Sequence, residues 1–128
     1  MPSWDAYKAD ATARGALAQE YFMVLSTPGE DLDLVKATLP DHLAYFAEQE
    51  AKGNLFLAGP LSDETGTQMQ GMGLIIYRAA SFEDAQALAD GDPMHKSGAR
   101  SYVLRRWLVN EGSVSLSVGL SGRSIKLS

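Results

Sequence analysis

Apolar and polar positions alternate from Glu20 to Thr27, with Tyr21, Met23 and Leu25 on one side and Phe22 and Val24 on the other. That period of two predicts a strand buried on both faces, stopped at Pro28-Gly29. The period then lengthens. Leu39, Leu43, Phe46, Ala47 and Ala51 recur at three- and four-residue spacings and predict a strong amphipathic helix. Thr38 is available as its cap, Pro40 suits a first turn where no helical hydrogen bond is lost, and Asp41 adds negative charge at the positive end. Gly53 supplies a left-handed terminator. Leu55 to Ala58 reads as a short strand closed by Gly59-Pro60, and the Ser-, Asp-, Thr- and Gly-rich segment from Leu61 to Gln70 as a surface loop.

Met72 to Arg78 is a third strand, with Gly71 and Gly73 permitting close backbone approach at its start. Ser81 and Asp84 form an acidic capping box ahead of Phe82, Ala85, Leu88 and Ala89, a second core helix ended by Gly91. Asp92-Pro93 begins a turn, and Tyr102 to Val109 is a fourth strand. At the ends, Ser3 can cap a weakly amphipathic helix from Trp4 to Ala18. After a turn at Asn110-Glu111-Gly112, Val114, Leu116, Val118 and Leu120 alternate with small residues as a fifth strand, leaving residues 121–128 as a tail.

Strand, helix, strand, strand, helix, strand is the ferredoxin-like βαββαβ order, an α+β antiparallel sheet with both helices on one face. An extra N-terminal helix and an extra C-terminal strand flank it. One helix layer covers only one face of such a sheet. A second copy packed on the other face is the simplest cover, so a homodimer is expected.

With 128 residues, 45% of them apolar, the chain has material for one core, and a single domain over residues 1–128 is expected. Eleven basic against 16 acidic side chains leave a net charge of -5, which repels nucleic-acid phosphates and anionic membrane surfaces. There is no cysteine, so disulfides, thiolate nucleophiles and Cys-based metal sites are excluded. No stretch approaches the about 18 consecutive apolar residues of a membrane span, and residues 1–10 have no apolar leader segment, so a soluble cytoplasmic protein is expected.

Only two histidines, His42 and His95, can act as acid/base groups near neutral pH. Placed in the first turn of the main helix, His42 would be disfavoured as a cation by the helix dipole, so its neutral ring could accept a proton; by position alone a histidine there is more often a partly exposed surface residue. Asp92 is first of all a turn residue whose side chain can bond the next amides. It could also orient an imidazole. His95 can face the same site or simply be solvated. Arg78, Arg100, Arg105 and Arg106 can pair with a substrate carboxylate, but alternation allows only one of Arg105 and Arg106 to point inward. Ser62, just past Gly59-Pro60, can hydrogen-bond a ligand or be an ordinary loop serine. No spacing gathers metal ligands, and Gly71 and Gly73 precede a strand where a dinucleotide loop would open a helix, so neither a metal nor a nucleotide cofactor is expected.

The helix start Asp41-His42-Leu43, the run GNLFLAGP ending at Pro60, the helix opening SFEDAQALAD and the Asp92-Pro93 pair with Gly98 together resemble the YciI-like, or YCII-related, family over about Glu20 to Leu108. The resemblance implies a dimeric ferredoxin-like α/β barrel, related to muconolactone isomerase, with a His/Asp-centred pocket proposed as catalytic. Its histidine falls on His42 and its aspartate on Asp92. Two departures stand out: Met94 and His95 follow the Asp-Pro pair where the family often has an aromatic, and no basic residue precedes His42, where Leu39-Pro40-Asp41 stands. Residues 1–19 and 110–128 lie outside the resemblance and could cap the sheet or strengthen a dimer.

The resemblance implies a cofactor-free enzyme that isomerises or cleaves a small organic molecule, His42 moving a proton and Asp92 assisting. His95, Ser62 and Arg106 are the candidate substrate contacts. The alternative is a non-catalytic small-molecule binding or accessory protein that uses the same pocket.

Overall fold

A computed structural model describes all 128 residues and places ten elements in the order α1, β1, α2, β2, β3, α3, α4, β4, β5, β6. They fall into two compact units, one of residues Glu20–Trp107 and one joining Met1–Gln19 to Leu108–Ser128. No helix is long and apolar enough to cross a membrane.

The larger unit is built on β1 (Gln19–Pro28), β2 (Leu55–Ser62), β3 (Met69–Tyr77) and β4 (Arg100–Val109), in sheet order β2-β3-β1-β4. β1 and β2 both pair antiparallel with β3. The helices are α2 (Leu32–Ala51), α3 (Phe82–Gly91) and the single turn α4 (Pro93–Lys96). The order from β1 to β4 is thus the expected βαββαβ, with α4 added before the last strand.

Strand alternation decides which side chains become core. Phe22 faces Tyr77 and Val24 faces Ile75 across the β1/β3 pair, all four buried. Ala85 and Ala89 of α3 complete that cluster, with Phe46 of α2 and Phe82 and Leu88 of α3 packed against it. The small alanines let α3 lie close to the sheet. The intervening residues, Met23 opposite Ile76 and Leu25 opposite Leu74, belong to the other face.

Several boundaries differ from the sequence reading. α2 starts at Leu32, not near Thr38, because Asp31 caps it by accepting from the Leu34 N–H at 3.0 Å. Pro40 therefore lies inside the helix, where it removes a backbone bond. Thr38 is no cap; its buried hydroxyl donates to the Leu34 carbonyl at 2.7 Å. β2 runs through Gly59 and Pro60 instead of ending before them. It is an edge strand, so a proline without N–H is tolerated there. Ser81 does cap α3, accepting from the Asp84 N–H at 3.1 Å.

In the smaller unit, α1 spans only Trp4–Ala13, since Gly15 turns left-handed at φ 85° well before the expected end. The fifth strand, β5 (Leu116–Gly119), does not stand alone. Residues expected as tail form β6 (Ser124–Leu127), and the two make a separate antiparallel hairpin pairing Leu116 with Leu127 and Val118 with Ile125.

Candidate active site

The Asp92 carboxylate is where three short segments meet. α3 ends at Gly91, the backbone extends at Asp92 (φ -62°, ψ 123°), and α4 begins at Pro93, whose missing N–H costs nothing in a first turn. Asp92 is the cap of α4, its Oδ1 accepting from the Met94 N–H at 2.9 Å. It is fully buried. α2 passes beside α4, and His42 donates from Nδ1 to Asp92 Oδ1 at 2.8 Å and to Oδ2 at 3.0 Å. A carboxylate accepts, so in the neutral ring the proton sits on Nδ1 and the Nε2 lone pair is free. The His42 side chain is 16% exposed and lies against the Phe46 ring, centroids 4.1 Å apart. Because His42 is well inside α2, the helix dipole does not act on it as it would in a first turn.

His42 borders an open cleft of about 450 Å³. Leu39, Leu43 and Phe46 of α2, Met94 of α4 and the first half of β3 form most of its wall, which is largely apolar. The polar exceptions are His42, Ser26 and Arg100. Arg100 is held by its neighbours: Nε donates to Ser26 Oγ and Nη2 to Ser26 O, both at 2.9 Å, and Nη2 also reaches Gly71 O. Burial lowers the Arg100 pKa, partly opposed by the charge of Asp92. Gly71 can offer that carbonyl because its φ is +84° and a side chain there would press on Pro28 at 3.0 Å.

His95 sits behind this wall. Its Nδ1 donates to the Ala89 carbonyl at 2.7 Å, and the Ser26 hydroxyl, already accepting from Arg100, can donate to His95 Nε2 at 2.9 Å. Both ring nitrogens are thus engaged, and His95 braces Ser26 while remaining outside the cleft lining. The structure does not bring Ser62 or Arg106 to the cleft. The Ser62 hydroxyl is exposed and donates to the Asp63 carbonyl at 2.8 Å, while the Arg106 guanidinium lies 5.8 Å from the centroid of Phe82. Ser26 was not singled out in the sequence, although it continues the buried row of Phe22 and Val24; Arg100 was one of four equivalent cations, and its alternation with Tyr102 and Leu104 was the available signal. No three His, Asp or Glu side chains gather as metal ligands.

Two tyrosines back the dyad. Tyr45 donates to the Leu88 carbonyl at 2.7 Å, and burial, followed by the charges of Asp92 and Glu48, raises its pKa. Tyr77, buried with no protein partner for its hydroxyl, is pushed up in the same way, by burial first and Asp92 second. Tyr45 also explains Gly91: a Cβ there would lie 2.8 Å from the Tyr45 hydroxyl. Gly91→Ala is expected to dislodge the Tyr45–Leu88 bond and cost about 1 kcal/mol. In a Tyr45→Phe background the same change should instead stabilise, by up to about 1 kcal/mol of helix propensity. Urea unfolding of the four proteins in this cycle checks the reversal of sign, and an unchanged sign would leave Gly91 unexplained by Tyr45.

The model of the YCII-related domain matches residues 21–108. The chain belongs to the YCII-related family. Among solved structures, this family member resembles the 5-chloro-2-hydroxyhydroquinone dehydrochlorinase of Burkholderia phenoliruptrix AC1100, determined in complex with 2,5-dihydroxybenzoquinone, with a TM-score of 0.56 and 24% identity over 68% of this chain and 92% of that one. At that identity the likeness establishes the shared fold. No curated protein matches the chain.

Proposed function

We propose that this YCII-related chain is an enzyme that isomerises a small organic molecule or eliminates a group from it, with His42 as proton acceptor and Asp92 as its orienting partner. The observation that carries the reading is the His42–Asp92 hydrogen bond at the wall of a largely apolar cleft. A cleft of about 450 Å³ is of the size that holds small ligands. Held by the buried carboxylate, the ring keeps its proton on Nδ1 and offers Nε2 to a C–H or O–H of the bound molecule. The imidazolium that forms is stabilised by the adjacent Asp92 carboxylate. Returning the proton to another atom completes an isomerisation; departure of a group from the neighbouring carbon completes an elimination. The dehydrochlorinase named for the similar fold makes elimination the first chemistry to try.

Chloride release from 5-chloro-2-hydroxyhydroquinone, with uptake of solvent deuterium into recovered material, is the direct assay. The native protein is expected to exceed the buffer rate, and His42→Gln is expected to fall to it. Equal release by the two proteins would remove His42 from the mechanism. A compound that raises Tm yet returns unchanged and unexchanged would instead identify a binding protein.

We further propose that the sheet face away from the helices is a homodimer interface. Leu57 and Val103 are each 51% exposed and Trp107 is 44% exposed, a costly set of large apolar groups to leave in water. A dimer is the expected mass by light scattering, and a Val103→Asp, Trp107→Glu double variant is expected to run as a monomer. A native monomer at all concentrations would overturn this.

A further inference from the structure

The cleft contains a cation with no direct ion pair, the Asp92 carboxylate acting on it only from a distance. Arg100 stays protonated under all ordinary conditions. Its hydrogen-bond partners are Ser26 Oγ, Ser26 O and Gly71 O, all neutral, and it takes part in no salt bridge. Three bonds fix the plane of the guanidinium and use Nε and Nη2, leaving Nη1 as the nitrogen with no protein partner. Ser26 is itself held from behind, with His95 and the Ala89 carbonyl completing the chain of hydrogen bonds. A braced, half-buried cation beside apolar walls interacts more strongly with negative charge than a surface arginine does.

We propose that the cleft takes its substrate as an oxyanion, a phenolate, enolate or carboxylate whose charged oxygen binds Arg100 Nη1 while its apolar framework lies against Leu39, Phe46 and Met94. This names the substrate class of the site and rests, for its catalytic meaning, on the proton-transfer reading given above. In that setting Arg100 and His42 have separate duties. The guanidinium binds oxygen charge already present, and it also stabilises charge that spreads onto that oxygen when His42 removes a proton elsewhere on a conjugated framework. An anion at Arg100 also completes the unsatisfied half of a fork that the fold has otherwise locked in place.

Para-nitrophenol and para-nitroanisole are suitable probes, because they differ in whether the oxygen can carry charge, and the phenolate absorbs visibly. The native protein is expected to bind the phenolate about ten- to a hundredfold more tightly than the neutral ether, and so to shift the phenol titration to lower pH. Arg100→Gln is expected to abolish that preference while leaving the affinity for the ether unchanged. Arg100→Lys should restore part of it. His42→Gln should keep the anion preference, so loss of His42-dependent turnover and loss of anion binding report on different claims. The proposal is overturned if the native protein shows no preference for the phenolate, or if Arg100→Gln is folded and retains it, which would leave Arg100 as a tie between strands. Should Arg100→Gln not fold, the native phenolate-to-ether ratio and its reduction in Arg100→Lys decide the matter.

Discussion

Asp92→Asn is expected to keep the fold and lose about a hundred- to ten-thousandfold of turnover. The asparagine retains a carbonyl oxygen that can accept from the Met94 N–H, so the cap of α4 survives, and asparagine is as good a cap as aspartate. What changes is the charge beside His42. With Oδ1 kept on Met94, that same oxygen stays 2.8 Å from His42 Nδ1 and goes on accepting from the ring, while an uncharged amide nitrogen takes the place of Oδ2. No carboxylate then stabilises the imidazolium that forms when Nε2 takes a proton from substrate. The expected pattern is a fall in kcat with KM near native and an unchanged Tm within a few degrees. Native kcat in a folded Asp92→Asn protein would sink the dyad, whatever the fate of the His42 variant. Asp92→Leu is a harsher test of the fold, since it also removes the cap and leaves the Met94 amide buried without a partner.

Phe22→Ala is expected to cost about 3–5 kcal/mol, the largest stability effect of a single change in the larger unit. Phe22 is only 1% exposed and sits where the sheet meets α3, its ring edge-on to Phe82 with centroids 6.5 Å apart. Truncation removes apolar burial and opens a void that the opposing Tyr77, fixed by the strand pairing, cannot readily fill. Set against the about 5–15 kcal/mol typical of whole domains, roughly a fifth or more of the stability is at stake. Urea titration should show a large fall in midpoint with little change in slope. A cost below about 1 kcal/mol would mean that the cluster around Phe22 is not the core of this unit.

How well the sequence could be read depended on the range of the interactions concerned. β1 was legible as a strand with two distinct faces, but both were expected to be buried, whereas Phe22, Val24 and Ser26 are buried and Tyr21, Met23 and Leu25 only half-buried. Ser81 was legible as a cap because its bond to the Asp84 amide closes within one turn. The start of α2 was not. Thr38 and Pro40 carry a strong local signal for a helix beginning, whereas the true cap, Asp31, stands in an acidic stretch that reads as a connection. Val35, Leu39, His42 and Leu43 border the cleft on both sides of Pro40, and tertiary packing of this kind sustains the helix through its missing bond. β6 was missed because Ile125 and Leu127 make too short an alternation to stand out before their partners Val118 and Leu116 are known.

The same division runs through the site. His42 and Asp92 were nominated by family resemblance, and chain position alone left both with ordinary roles. Ser62 and Arg106 were chosen as contacts from loop position and charge, and neither reaches the cleft. Gly91 read as a helix terminator, but its lack of a side chain is explained by Tyr45, a residue of another helix.

By itself the amino-acid sequence determined the α+β order of the family core, the two-faced alternation of β1 and the cap of α3, all products of neighbours within a turn or along a strand. Tertiary structure alone decided that His42 meets Asp92, fifty residues further on, and that Arg100 is braced by Ser26 and His95 yet left one free nitrogen. The physical reason is that backbone preference is settled locally, whereas a hydrogen bond between distant side chains exists only after burial has set α2, α4 and the sheet at fixed distances.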